Sequence, residues 1–372
     1  MTRTRSSAVR VAAGSFACAL LALVGASILG PIAEASAGST PATPLPSSAI
    51  TTTRNVTYTD ADGITLTLDV YQPEELTPGR PGVVLIHGGA WGSGQAKDLD
   101  AEGRLIAREG WVAFSINYRL ADQSSSPWPD ELTDVQRAIR WISAHAEDYG
   151  VDNQKLVAMG LSAGGHLASL LGELGTTVDG IGRTIQDPNP PAQVKAVVAL
   201  SPPTEPMGLV STDGDVPPDC TDNKICTRFW RLPLVTNFIG CTPAECPKSY
   251  DQASLVSRAT PDTVPIWFAN STSEIVGLPQ AKAFDEALTN VGVDHHFELL
   301  DGTAHADEYR SRVWNPMMEW TAAKVGVAPP PPISFSSKNI LLSPVVVVSV
   351  VVGLALLIAL LAVALRDDDG AM

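Results

Sequence analysis

A serine between glycines is the residue of this chain best suited to covalent chemistry. Ser162 lies in Gly160-Leu-Ser-Ala-Gly164, a G-x-S-x-G pattern. The apolar run 155–159 predicts a strand before it, and the small residues of 163–171 predict a helix after it. A tight strand-to-helix turn would present the serine hydroxyl to a substrate, and a Cβ at either glycine would crowd the neighbouring backbone. The pattern therefore predicts a serine nucleophile on a strained turn.

A second glycine pattern follows another predicted strand. Residues 82–86 form a short, continuously apolar run, and His87-Gly-Gly-Ala-Trp91 comes directly after it. Because glycine has no Cβ, the backbone N–H groups of such a loop can closely approach a carbonyl oxygen on which negative charge develops. The two patterns together indicate a nucleophile with a loop that stabilises an oxyanion.

These patterns resemble the α/β-hydrolase superfamily, in which an H-G-G loop and the residue after the nucleophile supply the oxyanion-hole N–H groups. Two further stretches, Tyr149-Gly-Val-Asp152 and Asn117-Tyr-Arg119, are similar to exported carboxylesterases related to feruloyl and acetyl-xylan esterases and to the hormone-sensitive-lipase group. The resemblance covers about residues 55–325. It implies an α/β-hydrolase fold and ester hydrolysis.

The resemblance also implies which residues form the rest of the site. The oxyanion donors would be Gly88 or Gly89 together with Ala163. The general base of this superfamily is a histidine that comes later in the chain than the nucleophile. Of the six histidines, His305 fits this position because it follows the last predicted strand, 297–300.

The acidic member of the triad departs from the family pattern. Related enzymes place an aspartate after the penultimate strand, and the corresponding position here is Ser273. Glu274 is adjacent, and its longer side chain could compensate for a small backbone shift and orient His305. Asp301, four residues before the histidine, is the competing candidate, and an incomplete triad is the third possibility. We expect Glu274 to be the acid.

The remaining sequence predicts a mostly parallel sheet with helices on both faces. Alternating runs at 56–58 and 64–71 predict an antiparallel strand pair at the start. Buried strands that alternate with helices then favour parallel strand order. The later predicted strands are 82–86, 111–117, 155–159, 194–200, 264–269 and 297–300, and the helices include 132–146, 163–171 and 307–325.

Two apolar segments predict export and membrane attachment. Residues 1–37 combine three arginines, an apolar stretch and Ala35-Ser-Ala37, which is typical of a cleaved signal peptide; an uncleaved anchor is the alternative. Residues 340–365 are uncharged over 26 positions, long enough for a transmembrane helix. With the basic start of the chain inside, either interpretation places the intervening domain outside the cytoplasm.

Cysteine usage agrees with an oxidising compartment. Cys18 belongs to the predicted signal peptide, and the other four cysteines lie within 220–246. An even, clustered set in an exported chain predicts two disulfides, and of the three possible connectivities we favour Cys220–Cys226 with Cys241–Cys246. They belong to a proline-containing segment, 202–260, that interrupts the strand and helix alternation. We interpret this segment as an inserted cap that shapes access to the site.

The chain thus divides into a signal peptide, a linker, a hydrolase domain, a stalk, a membrane helix and a tail. The predicted boundaries are 1–37, 38–53, 54–325 with the cap at 202–260, 326–339 for the proline-rich stalk, 340–365, and 366–372 for the cytoplasmic tail.

We expect a membrane-tethered, extracytoplasmic serine esterase that acts on small or medium acyl esters through an acyl-enzyme. A catalytically weak hydrolase-like surface binding domain and a peptidase or amidase on the same fold are the alternatives. No metal or organic cofactor is implied, because the histidines lack H-E-x-x-H or comparable spacing. A net charge of −15 without a basic stripe argues against a nucleic-acid partner.

Overall fold

The computed structural model describes residues 49–61, 63–121, 128–210 and 228–335. The predicted signal peptide, membrane helix and cytoplasmic tail lie outside these ranges, as do Cys220 and Cys226. Within the ranges, no helix combines the length and the apolar composition that crossing a membrane requires.

Eight strands of the described chain form one sheet with the order β1-β2-β4-β3-β5-β6-β7-β8. β1 pairs antiparallel with β2, and β2 pairs antiparallel with β4, whereas all other neighbours are parallel. The antiparallel start and the mostly parallel sheet are therefore confirmed. The strands are β1 Ile50–Ala61, β2 Ile64–Pro73, β3 Arg80–Ile86, β4 Val112–Ile116, β5 Val151–Leu161, β6 Ala196–Leu200, β7 Ile266–Ser271 and β8 His295–Leu300.

One predicted boundary is wrong. The sequence predicts a flexible linker over 38–53, but β1 begins at Ile50, and residues 50–53 pair with residues 70–73 of β2. Ile50 and the three threonines that follow it are β-branched residues, which suit a pleated edge strand. The folded domain therefore begins at least four residues before the predicted boundary at 54.

Helices cover both faces of the sheet because its central strands are apolar on both sides. Along β3, Val84 and Ile86 pack into one core cluster, and Val83 and Leu85 pack into the other. The helices are α1 Asp100–Arg108, α2 Asp130–Ala144, α3 Ala163–Leu174, α4 Pro206–Val210, α5 Arg228–Ile239, α6 Pro247–Gln252, α7 Leu255–Arg258, α8 Leu278–Val291 and α9 Arg310–Lys324. Side chains of α2, α3 and α8 fill the first cluster, and side chains of α1 and α9 fill the second.

The inserted segment 202–260 shares the main core of the domain. Phe238 of α5 and Tyr250 of α6 are fully buried in the first cluster, and the Phe238 ring stacks on Trp91 at 4.5 Å between ring centroids. A disulfide joins Cys241 to Cys246, as predicted. The described part of the insertion is thus fixed by apolar packing as well as by the disulfide.

The carboxyl group of Glu109, the residue that follows α1, is largely buried, which is uncommon for a glutamate. Trp314 of α9 donates its indole N–H to Oε1 at 2.7 Å, and Oε2 has no hydrogen-bond partner among the described residues. Burial raises the pKa of Glu109 from 4.5 to about 7. The folded state therefore holds this proton in a pH range where the unfolded state has released it.

We expect Glu109→Gln to stabilise the protein more at pH 8 than at pH 5. Because the folded pKa is raised, wild-type stability falls as the pH rises from 4.5 through about 7, while a glutamine has no proton to lose. After allowance for partial solvation, the difference should grow by about 1–2 kcal/mol, which corresponds to a few degrees in melting temperature. Thermal melts at both pH values check this, with the exposed Glu319→Gln of α9 as control. A melting-temperature difference independent of pH would contradict it.

Candidate active site

Ser162 occupies the turn between β5 and α3 in a strained backbone conformation. Its φ of 52° and ψ of −120° lie outside the ordinary regions for a residue with a side chain. A Cβ at Gly160 would lie 2.0 Å from the Gly164 carbonyl oxygen, and a Cβ at Gly164 would lie 2.1 Å from the Ile86 carbonyl oxygen. Both distances are impossible contacts, so the steric prediction for the two glycines is confirmed. The Ser162 N–H donates to the Leu200 carbonyl at 2.7 Å.

The glycine loop after β3 lies against this turn. A Cβ at Gly88 would lie 2.9 Å from the Leu161 carbonyl oxygen and 3.2 Å from the Ser162 Cβ. Gly89 has a φ of 111°, which favours glycine. Ala163 is the first residue of α3, where backbone N–H groups have no partner within the helix. The loop and the helix start thus bring the three predicted oxyanion donors to the nucleophile's neighbourhood.

His87 fixes the loop from its first residue. Its Nδ1–H donates to the Gly88 carbonyl at 2.8 Å, and its ring stacks on Tyr118 at 4.3 Å between centroids. The Tyr118 hydroxyl donates to the His87 carbonyl at 2.9 Å. Burial lowers the pKa of His87, so this ring is neutral near pH 7.

His305 and Glu274 meet through a hydrogen bond between Nδ1 and Oε2. The Glu274 side chain is fully buried, and its Oε1 accepts from the Ser201 hydroxyl at 2.8 Å and from the Ser271 N–H at 2.7 Å. Since the carboxylate accepts the Nδ1 proton, a neutral His305 ring has a free lone pair on Nε2. That nitrogen is available as a general base.

The other acidic candidate is placed differently. Asp301 is exposed, and its carbonyl oxygen accepts from the Arg312 guanidinium at 3.2 Å. Ser273, which takes the family's aspartate position, is also exposed, and its N–H donates to the Gly302 carbonyl at 3.0 Å. The structure therefore brings Glu274, one residue further along, to the histidine.

Two cavities meet at Ser162. The larger has a volume of about 1030 Å³ and is lined by His305, the glycine loop and several charged side chains. Among these are Asp98, Glu102, Asp307 and Arg310, of which Glu102 and Arg310 form an ion pair. The smaller, about 60 Å³, has an almost wholly apolar lining that includes Trp91, Leu209 and Val276. Leu234 of α5 and Ile275 line both cavities, as do Ala90 and Ser162.

Two tryptophans near the site differ in their relation to the cavities. Trp91 lines the smaller cavity and donates its indole N–H to His166 Nδ1 at 3.2 Å. Trp128 packs edge-on to Phe238, with centroids 5.5 Å apart, and lines neither cavity.

The sequence did not single out Ser201, whose hydroxyl contacts Glu274. A polar residue that ends the apolar run of a buried strand was the available signal.

Comparison with known sequences identifies relatives among esterases. The BD-FAE family model matches residues 68–288. The chain is 31% identical over 260 residues to esterase LipC of Mycobacterium tuberculosis, covering 64% of this chain and 60% of LipC. It is 29% identical over 259 residues to the probable carboxylic ester hydrolase LipM of the same organism, covering 64% of this chain and 54% of LipM. The matched region thus spans somewhat more than half of these curated relatives.

Comparison with solved structures agrees in fold. A truncated carbohydrate esterase from gut microbiota superposes with a TM-score of 0.61 at 22% identity, covering 74% of this chain and 96% of that chain. Esterase 2 of Thermogutta terrifontis with bound butyrate superposes with a TM-score of 0.57 at 22% identity, covering 75% of this chain and 96% of that chain. The chain belongs to the BD-FAE family and has the α/β-hydrolase fold that its sequence motifs resemble.

Proposed function

We propose that this chain is a serine hydrolase of carboxylic esters. The observation that carries the proposal is one cavity lined by a strained serine, a glycine loop and a histidine whose Nδ1 is bound by a buried carboxylate. Each group has a role in acyl transfer. Relatives that carry esterase names support the same class of reaction.

The arrangement suggests how the reaction would proceed. The Ser162 hydroxyl attacks the ester carbonyl while His305 Nε2 takes its proton, and the N–H groups of Gly88 or Gly89 and of Ala163 stabilise the oxyanion. His305 then protonates the alcohol as it departs, and the acyl group remains bonded to the Ser162 oxygen as an acyl-enzyme. A water molecule that gives a proton to the same histidine nitrogen then hydrolyses the acyl-enzyme and regenerates the Ser162 hydroxyl. The Glu274 carboxylate stabilises the imidazolium that forms twice in this cycle.

A fluorophosphonate probe should label the full chain and should fail to label Ser162→Ala. The same variant should lose hydrolysis of p-nitrophenyl acetate to near background, because no other hydroxyl occupies the turn. Ser169→Ala is the matched control: it removes a buried hydroxyl of α3 that donates to the Gly165 carbonyl at 2.9 Å. Labelling that survives in Ser162→Ala, or no labelling of the wild type, would refute the assignment. Parallel assays on aminoacyl amides test the amidase alternative.

Glu274→Gln should lower kcat by about 10⁴, because the amide stabilises the wrong histidine tautomer and no imidazolium. Asp301→Asn is the matched control and should retain near-normal activity, since Asp301 is exposed. Steady-state kinetics with p-nitrophenyl acetate decide between them. The opposite ranking of the two variants would assign the acid to Asp301.

The two cavities favour a short acyl group and a larger, polar alcohol. An acyl chain that enters the smaller cavity contacts apolar side chains and Ser162 within a volume of about 60 Å³. An alcohol group in the larger cavity meets Asp98, Asp307 and Arg310, which can hydrogen-bond hydroxyl groups. We therefore assign small acyl esters as the preferred substrates.

Acetyl esters should be hydrolysed with a higher kcat/KM than hexanoyl esters of the same alcohol. Ile275→Ala should raise the hexanoyl-to-acetyl ratio about tenfold, because it removes side-chain bulk that lines both cavities and each pocket methylene contributes about 1–3 kcal/mol. Met207→Ala, which trims an exposed side chain of α4, is the control. An unchanged ratio in Ile275→Ala would show that the acyl chain lies elsewhere.

We also propose that the domain acts outside the cytoplasm and is held at the membrane. The support is the signal-like segment 1–37, the uncharged run 340–365 and a disulfide between Cys241 and Cys246, a bond that persists in oxidising compartments.

A further inference from the structure

Two residues at the end of β6 form hydrogen bonds to Ser162, to Glu274 and to the residue after His305. The Leu200 carbonyl accepts the N–H of Ser162 at 2.7 Å, and so holds the strained turn. The next residue, Ser201, donates its own N–H to the Ala269 carbonyl of β7 at 2.8 Å. Its side chain is fully buried and lines neither cavity.

The Ser201 hydroxyl joins the acid to the segment that carries the histidine. It donates to Glu274 Oε1 at 2.8 Å, since an ionised carboxylate can only accept. Its oxygen accepts from the N–H of Ala306, the residue after His305, at 2.9 Å. The Tyr309 hydroxyl lies 2.8 Å from the same oxygen and 3.0 Å from the Ala269 carbonyl. One hydroxyl thus contacts the acid and the backbone next to the base.

The backbone at both ends of this link is constrained. Ser201 has a φ of 51° and Ala306 has a φ of 50°, both in the region that glycine prefers. Such strain persists where the surroundings enforce it, and here the surroundings are Glu274 and the His305 segment. A glutamate also has one more rotatable bond than the aspartate that the family uses at this place, so its carboxylate needs a further restraint.

We propose that Ser201 is a positioning residue that holds Glu274 and His305 in register with Ser162; this inference rests on the proposed function. Ser201 acts through Glu274 and touches no substrate. Its loss therefore changes the turnover step and leaves substrate binding intact. The Ser271 N–H remains on Oε1 when the hydroxyl is removed, so the carboxylate is misplaced rather than lost.

The test compares Ser201→Ala with Ser201→Gly in the full chain purified in detergent. Both remove the hydroxyl, but only glycine relieves the positive φ. Both variants should lower kcat for p-nitrophenyl acetate by about 10- to 100-fold, the effect of losing one hydrogen bond to a buried charge, with KM within about twofold of wild type. Ser201→Cys keeps a weak donor and should recover part of the loss. Ser169→Ala should match the wild type.

A second readout needs no turnover. The proton between His305 Nδ1 and Glu274 should give a far-downfield proton NMR signal that His305→Gln removes, and Ser201→Ala should shift or broaden that signal. Wild-type kcat and an unchanged signal in Ser201→Ala would overturn the inference, as would full activity in Ser201→Gly.

If Ser201→Ala does not fold, Tyr309→Phe, which removes only the neighbouring hydroxyl, should show a smaller loss in kcat and a shifted signal. A wild type without esterase activity defeats the proposed function, whereas the NMR comparison still judges the Ser201 contact.

Discussion

A carboxylate that is buried away from water needs hydrogen-bond donors in place of water, and the site depends on this requirement at Glu274. Three donors meet its two oxygens, from Ser201, Ser271 and His305. One donor is the backbone of β7 and another is the residue after β6, so two strands of the sheet fix the charge. Because the charge is fixed, the histidine that binds it has a defined tautomer and orientation.

The parallel sheet brings these groups together from distant parts of the sequence. The glycine loop follows β3, Ser162 follows β5, Ser201 follows β6, Glu274 follows β7, and His305 follows β8. Since neighbouring parallel strands end at the same edge, each of these residues emerges beside the next. The order of strands in the sheet, rather than spacing along the chain, therefore sets the geometry of the site.

The sequence predicts the local parts of this geometry better than the long-range ones. Gly160 was predictable because its constraint is local: a Cβ there would meet the Gly164 carbonyl. Gly164 clashes with the distant Ile86 carbonyl of β3, and it was predictable only through the G-x-S-x-G pattern. The buried strands were predictable because their apolar runs are continuous. The contact between Ser201 and Glu274 was not predictable, since it joins residues 73 positions apart, and a serine that ends an apolar run does not reveal which residue it contacts. The start of β1 was placed too late because Ile50 and the following threonines read as a polar lead-in until the partner strand is known.

The insertion is tied to the nucleophile helix through a buried imidazole. His166 of α3 accepts the Trp91 indole N–H at Nδ1 and donates from Nε2 to the Ala253 carbonyl at 2.7 Å. Burial lowers its pKa to about 4, so the ring stays neutral and keeps one donor and one acceptor across the neutral range. Protonation would put a second donor against the indole N–H and break the pair. Trp91 lines the smaller cavity and stacks on Phe238, so the same ring that anchors the insertion also shapes the space beside Ser162. A change in the packing of the insertion is therefore a change in the acyl side of the site.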